Sequence, residues 1–248
     1  FSSLENFVWI VAGRKGKEAE KLLSQTFKNN VTLLSLNALN EIEMQIYIQK
    51  KQEQINVVLD EQLTSFLYTL ASGRPILVDL AAEWAARNHP LSWMKNIDTD
   101  HLKSLLNSQN ISDQIQISKY GDLFEKELVT HLCDGRTKTD QLVLALSRVS
   151  PLDVNGIATM LNMGTEEAGE LFHQVVNRSF IKTLPDEQIK LHDIFRDMVN
   201  KHVWTLIDAD GERERRDDIR AIKYFSNKTE KIFGNIQKLR AMSQLQNQ

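Results

Sequence analysis

Residues 165–193 read TEEAGELFHQVVNRSFIKTLPDEQIKLHD, and the periodicity changes within that span. Leu171, Phe172, Val175 and Val176 recur at helical spacing and fall on one face. Thr165 stands where an N-cap is wanted, with Glu166 and Glu167 in the first turn. FIKTL and IKLHD, separated by Pro185-Asp186, then predict a β-hairpin. A closing helix is expected from Asp193 to about Trp204.

Upstream, YGDLFEKELVTHLCDG from Tyr120 and DQLVLALSRVS read as two helices, and Pro151 opens a short one in PLDVNGIATMLN. Helices running into a hairpin and a closing helix make a winged helix. Before it, a Ser/Asn/Gln-rich stretch from Asn88-His89-Pro90 to about Ser118 is expected to hold short helices at best and to mark a domain boundary. Earlier still, Asn40 and Glu43 have the spacing of a capping box. Leu63, Phe66, Leu67 and Leu70 form an apolar helical stripe that ends at Gly73, placed for a left-handed C-terminal residue. Pro75 then falls at the first position of the next helix, where a missing N–H costs nothing. In that helix ILVDL mimics a magnesium-binding strand, but Leu77, Leu80, Ala81 and Trp84 fall at i, i+3, i+4 and i+7, which leaves Asp79 on a polar face. The tail from Gly211 is charged and then helical. Ile222, Phe225, Ile232, Ile236 and Leu239 are expected to pack on a neighbour as one amphipathic face rather than as a coiled coil.

Near the start, FVWIVAGRKGKEAEKLL (residues 7–23) has the strand–loop–helix order of a phosphate loop. A Walker A loop needs Gly-x-x-x-x-Gly-Lys and then a hydroxyl for magnesium. Gly13 and Gly16 are too close together, and Lys17 is followed by Glu18, which would repel phosphate. What remains is a buried strand, Phe7 to Ala12, delivering Arg14 at its carboxyl end, the edge where ligands sit in open α/β sheets.

Composition bounds the alternatives. A net charge of −3 argues against a dominant nucleic-acid or anionic-membrane surface. One cysteine, Cys133, allows no internal disulfide and suits a reducing, cytoplasmic setting. The six histidines show no metal spacing. The chain begins with Phe1 and is expected to be a fragment of something larger. DNA binding through the winged helix, as a transcription regulator, is one alternative function. Glu166, Glu167 and Glu170 at the front of the would-be recognition helix, and the acidic wing tip PDEQ, oppose it. A non-catalytic helical adaptor is another.

The order of parts resembles the nucleotide-binding module of STAND-class signalling ATPases, the NB-ARC and NACHT switches. It comprises a strand ending in Gly-Arg, a helical Gly-x-Pro corner, a winged helix, and an apolar-His-Asp after its wing. The likeness covers about residues 7–204. It implies a mainly α fold: the end of a P-loop α/β domain at 1–34, a small helical domain at 35–108, a winged-helix domain at 109–205 and a helical tail at 206–248. It implies that Arg14 senses the γ-phosphate, that Pro75 packs on adenine, and that His192 reaches the β-phosphate of ADP. Asp193 would steady the winged helix as an interdomain switch. Leu191 stands where many relatives have Met, an apolar swap. The Walker A lysine and Walker B carboxylates would lie upstream, so this chain alone is not expected to hydrolyse ATP, whereas the complete protein would be a P-loop ATPase using ADP/ATP and magnesium. The resemblance further implies self-association on activation, a downstream sensor or repeat domain, and a role in defence or stress signalling.

Overall fold

The computed structural model describes residues 37–71, 73–86, 97–133 and 135–246, with backbone alone at 238–246, and helical positions Lys21 and Gln25. The expected first strand, Arg14 and the Asn88-His89-Pro90 junction lie outside these residues. Leu39–Gln248 form one compact unit. The fold is mainly helical, with a single short hairpin among the described residues.

Four helices come first: α1 (Glu41–Ile55), α2 (Glu61–Leu70), α3 (Pro75–Ala86) and α4 (Thr99–Asn107). Asn40 and Glu43 close the capping box of α1 reciprocally, at 3.0 and 2.9 Å. Asp60 caps α2, whose Leu63, Phe66, Leu67 and Leu70 are buried as their spacing requires. Helix α3 buries Ile76, Leu77, Val78, Leu80, Ala81, Ala82 and Trp84, so nearly every side of it faces protein. Its Asp79 accepts from the Tyr47 hydroxyl and pairs with Lys51 at 2.9 Å. Burial and then the Asp79 charge push the Tyr47 hydroxyl up to about 12.

Helix α5 (Ile111–Leu132) begins well before Tyr120, where the sequence suggested the polar stretch would end. Asn110 caps it through the Ser112 amide, Ser108 donates to Asp113 at 2.6 Å, and α4 packs along it with Leu102 and Leu105 buried. Local caps and one packed face outweigh the polar composition. At 22 residues α5 is about 33 Å long and contacts both α3 and the later helix α9 (Asp193–His202).

Between them come α6 (Lys138–Arg148), α7 (Val154–Leu161), α8 (Thr165–Val175) and the antiparallel pair β1 (Ile181–Thr183) and β2 (Ile189–Leu191). Leu152 adds a one-residue antiparallel bridge to Ile189. The N-cap of α8 is Gly164, without a side-chain bond; Thr165 is already helical. Phe180 and Phe195 stack at 4.5 Å and tie hairpin to α9. A short α10 (Trp204–Ile207) leads to α11 (Glu212–Gln246).

The tail departs from the expectation. Ile222, Phe225, Ile232 and Ile236 are exposed, and the side chain of Leu239 lies outside the described residues. The face that packs on α7 carries Asp217, Ala221 and Tyr224, a narrower stripe at i, i+4 and i+7. Gly156 on α7 permits that approach, since a Cβ there would meet the Tyr224 ring and Leu152 at 3.0 Å.

Candidate functional site

The Gly-x-Pro corner is built by backbone geometry. Helix α2 ends at Leu70, and Arg74 folds back so that its amide and its Nε both donate to the Ala71 carbonyl at 3.0 Å. Gly73 takes φ 70°, a left-handed conformation that side chains resist, and its carbonyl accepts from the Leu39 amide. Pro75 opens α3 and is exposed. The Arg74 guanidinium reaches Glu125 on α5 at 2.9 Å.

His192 stands between β2 and α9. Its amide donates to the Phe180 carbonyl at 2.7 Å, which fixes the half-buried ring beside the hairpin. Asp193, the first residue of α9, sits where the helix macrodipole favours negative charge. Lys182 and Lys190 lie 3.9 Å from its carboxylate, and Arg196 lies 4.0 Å away. These partners belong to the hairpin and to α9 itself.

Two carboxylates, neither singled out by the sequence, join the elements that carry Pro75 and His192. Glu83 on α3 accepts from both the amide (2.9 Å) and the hydroxyl (2.6 Å) of Ser179, while Arg178 faces its other oxygen at 3.6 Å. Ser179 precedes Phe180, the residue that holds the His192 amide. Glu125 gathers Arg74 from the corner and His202 of α9, the latter at 3.6 Å. His202 is buried, and that burial, helped by neighbouring Lys201, lowers its pKa against the pull of Glu125. Pro75 lies about 12 Å along the α3 axis from Glu83.

Glu83 had one readable signal. A carboxylate inside a helix that is apolar on almost every side has little access to water and needs a donor. Arg14 lies outside the described residues, so the geometry concerns Pro75, His192 and Asp193. Among the described residues no helix is long and apolar enough to cross a membrane. No protein-family model matches the chain, and no curated protein matches it either.

Proposed function

We propose that the chain is part of a nucleotide-dependent switch, the C-terminal portion of a STAND-type ATPase core that exchanges ADP for ATP and thereby controls self-association. On this reading α1–α4 are the small helical domain, and α5–α9 with the hairpin are the winged helix. The exposed Pro75 ring would meet adenine, and His192 would donate to a phosphate oxygen. Arg14 would supply a planar fork to the terminal phosphate, with magnesium held by upstream residues.

The observation that carries the reading is the coupling of the Pro75 helix to the His192 junction through Glu83 and Ser179. A ligand touching both would bias how these elements sit, because it binds one arrangement better than another. The regulator alternative gains nothing at the front of α8, where Glu166 is exposed and Glu167 is ion-paired with Lys138. In the complete protein, Asp193→Ala should loosen the closed state. Bound ADP should fall in the purified protein and the oligomeric fraction should rise by light scattering. An Asp193→Ala protein that stays monomeric with its full ADP content would defeat this reading.

A further inference from the structure

A second site lies between α6, α7 and the start of α11. A cleft of about 280 Å³ is lined by Gln141, Met160, Arg213, Arg216, Asp217 and Arg220, and its wall is predominantly polar. Three guanidiniums from one face of α11 surround a single carboxylate there. That carboxylate belongs to Asp217, only 4% exposed, and it satisfies neither neighbour well. Arg213 Nε and Arg220 Nη1 both stand 3.9 Å away, beyond hydrogen-bond reach. Arg220 spends one N–H on the Met160 carbonyl at 2.7 Å. Arg213 stacks over Trp204, and its Nε is buried with no hydrogen-bond partner among the described residues. Arg216 is exposed and makes no ion pair among the described residues. The nearby carboxylates Glu214 and Asp218 are engaged with Arg148.

We infer that this cleft binds a phosphoryl group of a small ligand, with Arg213, Arg216 and Arg220 as its donors. A buried, unused guanidinium N–H beside a polar cavity costs free energy until an acceptor arrives. Guanidinium forks match tetrahedral oxyanions in geometry and charge. The volume admits a phosphate or diphosphate group. Asp217 is the competitor. Its burial raises its pKa against the pull of Arg213, Arg216 and Arg220, so it is poorly placed to neutralise them. None of these residues belongs to the Pro75 and His192 geometry.

The test is calorimetric titration of the 248-residue chain with inorganic phosphate and, separately, pyrophosphate at constant ionic strength. Saturable binding is expected, weakened about tenfold by Arg216→Ala and tightened by Asp217→Asn, which removes the competing negative charge. Tighter binding of pyrophosphate would point to a diphosphate-bearing source, and equal binding to free phosphate. The exposed Lys103 on α4 provides the control, and Lys103→Ala should leave affinity unchanged. The inference falls if the chain shows no saturable binding up to about 10 mM of either anion. It falls equally if Arg216→Ala and Asp217→Asn bind as the parent does, or if Lys103→Ala weakens binding as much as Arg216→Ala.

Discussion

The two seams that fasten the hairpin region to its flanking helices use opposite chemistry. Where α3 and α5 meet the hairpin and α9, the carboxylates Glu83 and Glu125 reach donors, including an amide and a hydroxyl at 2.9 and 2.6 Å. Where α11 meets α7, arginines crowd a buried carboxylate that none of them hydrogen-bonds at close range. The first seam bridges its elements through direct hydrogen bonds to Ser179, although Glu83 Oε2 and His202 Nε2 face their charged neighbours only at 3.6 Å. The second leaves a buried N–H and surplus positive charge beside a cleft. What sets the second seam apart is that its unmet donor stands beside a cleft, where a ligand acceptor can reach it.

The largest effect should come from emptying the first seam. Glu83→Ala removes an acceptor shared by two Ser179 donors and leaves Arg178 without its partner, so it should cost about 2–3 kcal/mol in denaturant unfolding. Glu83→Gln, which keeps a neutral acceptor, should recover about half of that. A loss below about 0.5 kcal/mol for Glu83→Ala would show that the seam is held by packing alone. The second seam depends on close approach instead. Gly156→Val pushes a side chain into Tyr224 and Leu152 and should destabilise by about 1–3 kcal/mol through overpacking.

The seams should also respond to pH with opposite signs. His202 in the first seam has a lowered pKa, so the unfolded chain binds its proton more readily. Stability is therefore lost as pH falls through 6.5 towards the depressed value. Asp217 in the second seam has a raised pKa, so the folded chain holds its proton more readily, and stability is lost as pH rises above 3.8 through the raised value. His202→Gln should flatten the near-neutral slope alone, and Asp217→Asn the acidic one alone. Melting temperatures recorded across pH 4–7 for both variants separate the two contributions, and interchange of the slopes would overturn the assignment.

How much of this was legible varied with the range of the interaction. The capping box at Asn40, the stripe Leu63–Phe66–Leu67–Leu70, the left-handed Gly73 and the hairpin around Pro185 follow from neighbours within a few residues, and each is present. The early start of α5 was hidden because its first half is polar and its support comes from α4. The apolar surroundings of Glu83 on its helix signal that it needs a donor, but the donor, Ser179, lies 96 positions later and is brought beside it only by the fold. The arginine cleft was hidden for the same reason, since the sequence shows only a charged tail there. Arg213, Arg216 and Arg220 share a helix face in the sequence, but only α6 and α7 turn that face into one wall of a cleft.

The smallest effect is expected on the face that periodicity would have buried. An apolar stripe records that a helix has two unlike sides, not which side the rest of the chain covers. On α11 the choice was made by Gly156, which lets Tyr224 settle against α7 and turns Phe225 outward, 42% exposed. Tyr224 and Phe225 are adjacent in sequence, so only one of them can take the inward position. Phe225→Gln should therefore change unfolding free energy by no more than about 0.5 kcal/mol, whereas Tyr224→Ala should cost about 3 kcal/mol or more. Reversal of that order would mean that α11 is rotated by about 100° from the arrangement described, with the isoleucines inward and the arginines in solvent.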